Sequence, residues 1–235
     1  MLLICPACRH VDDAGLQLCT LDLQGAVRIC SGCGATSPVL EGICVIGPDP
    51  EVLIAYADRP ENLDTVAIYQ RSSRGPLQDW LRETVPSGAL ELGGGLGVRA
   101  DAVLLDQNLG MLRASSHALR VCADLLDPPF APESFGAVVL ANVLDSVGDP
   151  LLAFQQAIGL IEPGGVLIVS CAFAFRAEIT PEERWFTSEQ LACGFGAVDA
   201  GCLRVEDKLE LEWPLRVSER LVHLHRCDAL VFRKM

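Results

Sequence analysis

Glu91-Leu-Gly-Gly-Gly-Leu-Gly97 follows the apolar run Ala89 to Leu92, and its reading decides the fold. Glycines at 93, 95 and 97 carry no Cβ, so they can take positive φ, bend the chain away from a strand end and leave bare backbone for a bound cofactor to touch. Val103-Leu-Leu-Asp106 follows, a second short apolar strand ending in a carboxylate of the kind that binds a ribose. Ten residues, Gly93 to Ala102, separate the two strands, and the glycine loop takes the first five. A helix returning along a strand of about 16 Å needs about eleven residues, whereas an extended chain at about 3.3 Å per residue just reaches. The sequence therefore predicts two parallel strands joined without a crossover helix, and fewer than two helical turns between Gly97 and Asp106.

Working outward, strands at 89–92, 103–106, 119–123, 137–142 and 166–171 alternate with helical stretches, notably 149–161, which Asp149-Pro150 caps. Short apolar runs without alternation are strands buried on both faces, so the expected class is α/β with a mostly parallel, Rossmann-like sheet. Leu203 to Trp213 and Leu221 to Phe232 read instead as a C-terminal antiparallel hairpin. Pro76 to Val85 reads as a helix with Leu77, Trp80, Leu81 and Val85 on one face, and Leu63, Val66, Ala67 and Ile68 share a helical pattern before it. His223, His225 and Cys227 share a strand face, where ordinary strand positions are a better reading than a metal site.

This series resembles the class I S-adenosylmethionine-dependent methyltransferases over roughly Gly75 to Met235. The resemblance implies that Gly93, Gly95 and Gly97 hold the methionine moiety with Glu91 in support. It implies further that Asp106 accepts the ribose hydroxyls and Asp124 the adenine amine, with Leu125 also in the cofactor site, and that Asn142 stands beside the sulfonium. Ser170 to Trp185, with Glu178, Thr180, Pro181 and Trp185 as matching positions, is similar to the methyltransferase domain that completes ovothiol synthesis on mercaptohistidine. Cys171, Ala172 and Ala174 replace that domain's proline, tyrosine and first tryptophan, so the same substrate is not implied. Candidate bases are Asp145 and Glu178, with Asn142 at the reacting centre. Tyr56, Tyr69 and Trp185 are candidate substrate-lining aromatics.

At the amino terminus, Cys5-Pro-Ala-Cys8 and Cys30-Ser-Gly-Cys33 form two Cys-x-x-Cys knuckles with 21 residues between them. Four thiolates at this spacing select structural zinc, and a module this small draws its folding energy from the metal. Ser37-Pro-Val-Leu-Glu-Gly-Ile43 then resembles the closing hairpin of the zinc-ribbon family that includes the small activator subunit of eukaryotic tRNA and protein methyltransferases. Cys19 and Cys44 depart from that pattern and read as structural thiols. Gly47-Pro-Asp-Pro50 is a rigid turn, giving a zinc ribbon over 1–47 and a methyltransferase-like domain over 51–235.

The chain has 235 residues, 31 acidic against 18 basic, and a net charge of −13. That charge opposes broad contact with a phosphate backbone, which argues against a nucleic-acid substrate. No run reaches the roughly 18 apolar residues of a membrane helix, the start lacks a signal peptide's basic region, and most of the eleven cysteines read as reduced thiols, so the expectation is a cytoplasmic protein. Two functions follow. The first is a methyltransferase acting on a nitrogen or sulfur of a small molecule. The second is a degenerate methyltransferase serving as a non-catalytic partner subunit or scaffold, favoured by the missing helix and the altered wall; a partner protein completing the site belongs with it.

Overall fold

The structure, a computed structural model, describes residues 3–12, 15–47, 49–57, 59–72 and 74–235. The predicted 47–50 turn includes Pro48, which lies outside the described residues. A small hairpin, β1 (His10–Asp12) and β2 (Gly15–Gln17), stands apart, and β3 (Leu21–Gln24), β4 (Val27–Cys30), β5 (Thr36–Leu40) and β6 (Ile43–Val45) follow as an antiparallel meander. Helices α1 (Pro50–Ala57), α2 (Pro60–Arg71) and α3 (Pro76–Thr84) lead into β7 (Leu90–Leu92). Next come β8 (Val103–Asp106), α4 (Leu109–Ala114), β9 (Leu119–Cys122), β10 (Phe135–Ala141), α5 (Pro150–Leu160) and β11 (Ile161–Cys171). Helix α6 (Ser188–Ala192) precedes the long pair β12 (Leu203–Arg216) and β13 (Val222–Lys234).

One sheet of 11 strands runs β12-β13-β11-β10-β7-β8-β9-β6-β5-β4-β3. Its centre is parallel, from β11 through β10, β7, β8 and β9, and β13 and β12 add antiparallel at one edge. At the other edge β6 pairs parallel to β9, with Cys44 opposite Val121 and Val45 opposite Cys122, so the cysteine-bearing meander continues the sheet.

The parallel strands are buried on both faces, and successive residues go to opposite sides. Val138 and Leu140 join Phe154 and Ala157 of α5 on one face, while Ala137 and Val139 join Leu77 and Leu81 of α3 on the other. Leu104 packs with Leu109 and Leu112 of α4, and its neighbour Leu105 turns the other way. This two-sided burial is why the sequence shows continuous apolar runs rather than alternation. Helix α5 begins where Asp149 accepts the Leu152 N–H at 3.0 Å, with Pro150 at its first position. Among the described residues no helix is long and apolar enough to cross a membrane.

Between β7 and β8 the chain makes turns and no helix. Leu90 pairs with Val103 and Leu92 with Leu105, so the ten connecting residues return the chain over about three residues of strand. A parallel crossover usually takes a dozen residues or more.

Candidate functional site

Strand β7 sits where the chain reverses its direction of winding, since β8 and β9 follow on one side and β10 and β11 on the other. Open α/β sheets bind ligands at the carboxyl ends of the strands beside such a reversal. Two features meet there: the glycine loop after Leu92 and Asn142 after β10. Gly93, Gly95 and Gly97 have φ of +61°, +60° and +77°. A Cβ on Gly93 would lie 2.4 Å from Val143 Cγ2 and 2.9 Å from Leu125 Cδ2, and one on Gly97 would lie 2.1 Å from His117 Cε1. Both positions are glycine by conformation and by space.

Asp106 ends β8 with its carboxylate under this loop. Its Oδ2 accepts the Gly95 N–H at 2.8 Å and its Oδ1 the Asn108 N–H at 2.7 Å. Burial raises its pKa, against the pull of those two N–H bonds. A carboxylate offers about four lone-pair sites, so two remain for further donors.

Glu91, 1% exposed, faces the short connection and not the cavity. Its carboxylate accepts the Val98 N–H at 2.7 Å and the Arg99 N–H at 3.0 Å, and His117 Nε2 lies 3.5 Å from Oε1. It holds the return segment in place and supports the glycine loop from beneath. His117 went unnoticed in the sequence because it lies in a loop before β9. Its Nδ1 is 2.7 Å from Ser115 Oγ, and its ring fills the space above Gly97.

A cavity of about 120 Å³ opens at these strand ends, bounded by Tyr69, Gly94, Leu96, Asn142 and Trp213. Asn142 takes a left-handed backbone, φ +49°, at a cost met by its bonds to β11: its N–H donates to Ser170 O at 2.8 Å, and Ser170 Oγ donates to its Oδ1 at 3.1 Å. Tyr69 lies over Gly95 and edge-on to Trp213 at 6.0 Å. Burial, reinforced by Asp106 and Asp145, pushes its phenol up to about 12. Gln78 Oε1 is buried at the cavity wall without a hydrogen-bond partner among the described residues, an acceptor that suits a ligand N–H or O–H.

The remaining sequence candidates fall at different distances from this centre. Leu125 is buried against Gly93, while Asp124 is exposed and its Oδ1 accepts the Leu126 N–H at 2.8 Å. Asp145 is 3% exposed and its Oδ2 accepts the Ala174 N–H at 2.9 Å, so this carboxylate fastens the segment after β11. Glu178 is exposed. Trp185 is 42% exposed, stacked on Phe175 at 5.3 Å, with its Nε1–H donating to Thr180 O at 2.8 Å, and Tyr56 lies on α1 beneath the Arg59 guanidinium at 5.3 Å. Neither ring lines the cavity; of the three aromatics chosen from sequence, Tyr69 does.

The second candidate centre is the cysteine cluster. The Sγ atoms of Cys5, Cys8, Cys30 and Cys33 all lie within 4.8 Å of one another, with Cys5 to Cys33 at 3.9 Å and Cys8 to Cys30 at 3.6 Å. A tetrahedron with zinc–sulfur bonds of about 2.3 Å has edges of about 3.8 Å, so the donor set fits that ion. Cys30 Sγ accepts N–H bonds from Gly32 at 3.3 Å and Cys33 at 3.4 Å, which shape the second knuckle. Cys19 packs beneath Gly32, where a Cβ would meet its sulfur at 2.4 Å, and Cys44 is buried on β6. His225 lies against Trp213 at 5.2 Å, and no metal-ligand grouping includes His223, His225 and Cys227 among the described residues.

Comparison with known proteins agrees with this geometry. Residues 89–169, from β7 into β11, match the methyltransferase domain family. Demethylmenaquinone methyltransferase of Corynebacterium urealyticum is 34% identical over 91 residues, which cover 34% of this chain and 40% of that protein. The match thus spans about 40% of the length of that relative. A structure of the complex between the Haloferax volcanii Trm112 methyltransferase activator and a methyltransferase aligns with 77% of this chain and 97% of its own, at 14% identity and TM-score 0.54. An S-adenosylmethionine-dependent methyltransferase of Thermotoga maritima covers 79% of this chain and 97% of its own, at 17% identity and TM-score 0.49. Residues 89–169 thus resemble a methyltransferase domain, set in a sheet that carries an antiparallel pair at one end and, at the other, the meander that follows Cys5 and Cys8.

Proposed function

We propose that this protein is an S-adenosylmethionine-dependent methyltransferase that methylates a nitrogen or sulfur atom of a small molecule, with zinc in its cysteine ribbon as a structural ion. The observation that carries this reading is the meeting of three positive-φ glycines, Asp106 and Asn142 at the point where the sheet reverses its winding. Bound there, the cofactor supplies a methyl group already activated by its sulfonium.

The chain's own residues then have binding and alignment to provide. Backbone of the Gly93–Gly97 loop approaches the methionine moiety, the unused lone pairs of Asp106 accept the ribose hydroxyls, Asp124 and Leu125 border the adenine, and Asn142 stands at the reacting end. A cavity of about 120 Å³ is small beside the roughly 300–1,000 Å³ of ordinary ligand pockets, so binding requires the Gly93–Gly97 loop and Tyr69 to move apart. Three glycines in succession make that movement inexpensive.

Proton handling is modest. Tyr69 keeps its proton below about pH 12 and so serves as wall and donor, and Asp145 is committed to Ala174. A neutral amine, imidazole nitrogen or thiolate attacks without a strong base, and alignment alone can remove about 7–11 kcal/mol of barrier in favourable cases. Incubating the zinc-loaded protein with S-adenosylmethionine and sets of small amines, imidazoles and thiols, and measuring S-adenosylhomocysteine, tests the proposal. Acceptor-dependent product from at least one set is expected; none from any set, together with no cofactor binding, contradicts it.

A further inference from the structure

A basic groove lies directly beside the cavity. It encloses about 340 Å³ and is lined by Arg71, Ser72, Arg74, Pro214, Arg216 and Val222. Ser72 borders both spaces, and the Trp213–Pro214 step separates them. In a chain of net charge −13, three guanidiniums here without a carboxylate partner among the described residues are a marked local reversal of sign.

The groove is built rather than a chance meeting of long side chains. Ser72 ends α2, is 6% exposed, donates from Oγ to Ile68 O at 2.7 Å and accepts the Arg216 N–H of β12 at 2.7 Å. Arg71 Nη2 donates to Val217 O at 3.1 Å across the same junction. Gly75, φ +152°, lets the 74–75 backbone meet β12 so closely that a Cβ there would lie 2.6 Å from Pro214 Cδ. These contacts fix the end of α2 and the turn after it against β12, with Arg71 and Arg74 on one wall and Arg216 on the other.

We propose that this groove binds an anionic group of the methyl acceptor, a carboxylate or a phosphate ester, while the rest of the acceptor extends past Ser72 into the cavity beside Asn142. The inference deepens the methyltransferase reading by assigning its substrate a chemical class, and it rests on that reading for the word acceptor. Guanidinium forks pair with both oxyanions bidentately, which gives orientation as well as affinity. A small acid held at one end would present its nucleophilic atom at a fixed distance, the alignment that methyl transfer needs.

Titration calorimetry of the full chain with phenyl phosphate, benzoate and uncharged benzyl alcohol tests the groove without the cofactor. At least one anion should bind at millimolar concentration or below while the alcohol does not, and whichever anion binds more tightly separates phosphate ester from carboxylate. In R74Q/R216Q the preferred anion should bind about tenfold more weakly or worse, with the unfolding temperature unchanged. Should the double variant lose stability, R74Q alone carries the same comparison. Binding of the alcohol as tight as the anions, no saturation by either anion, or undiminished anion affinity in the variant would overturn the proposal. A separate titration with S-adenosylhomocysteine distinguishes the two claims: anion binding without cofactor binding keeps the groove and removes the methyltransferase reading.

Discussion

Tyr69 shows how one residue's surroundings set what it can do. Its phenol is displaced upward to about 12 by burial first and by Asp106 and Asp145 next. The folded state therefore favours the neutral ring. That contribution to stability is whole below the unfolded value of about 10 and is lost as pH rises through about 12. Ultraviolet titration should show a tyrosine ionising near pH 12, and Tyr69→Phe should remove that step and flatten the alkaline fall in unfolding temperature; a Tyr69 step near pH 10 would mean that the ring is solvated. At this scale position was legible, since the sequence puts Asp106 and Asn142 at strand ends and the fold has one ending β8 and the other just past β10. The sequence was not readable for Gln78 and His117, whose meaning comes from what tertiary packing leaves beside them. Tyr56 and Trp185 are candidates by aromatic type alone, and the fold sends one to α1 beneath Arg59 and the other onto Phe175.

The β7–β8 connection carries the clearest consequence of chain length. Ten residues leave no room for a helix, and Glu91 and His117 occupy the ground beneath and above the segment that replaces it. Gly97→Ala should destabilise the protein by roughly 1–3 kcal/mol, through a methyl forced onto the His117 ring and a strained left-handed backbone. Adding His117→Ala should recover the steric part, so the pair in a double-mutant cycle should couple favourably by about 0.5 kcal/mol or more. Strict additivity by denaturant unfolding would show that the ring does not hold this segment. Elements elsewhere were legible because their signals are local: Asp149-Pro150 at the start of α5, Pro76 as the first residue of α3, continuous apolar runs for β7 and β8. The parallel docking of β6 on β9 was not, since each partner is a short apolar run whose neighbour only the assembled sheet reveals.

Across the whole molecule, that docking joins the cysteine ribbon to the α/β sheet. Metal analysis of the reduced protein should give one zinc per chain, and Cys30→Ser should lose it. Because β6 contributes Ile43 and Val45 to the core that holds Leu104 and Cys122, chelation should lower the unfolding temperature of the whole chain in one transition. Two independent transitions, with the α/β body unmoved, would show the ribbon to be a mere appendage. The central claim, that the carboxyl ends of β7, β8 and β10 hold S-adenosylmethionine, is reached most directly by titrating the zinc-loaded protein with S-adenosylhomocysteine in a calorimeter. Binding should be saturable, and Asp106→Ala should weaken it by about 1.5–3 kcal/mol, roughly tenfold or more in affinity, the scale of a hydrogen bond to a charged group. No heat at millimolar ligand, or equal affinity in the wild-type protein and Asp106→Ala, would contradict it.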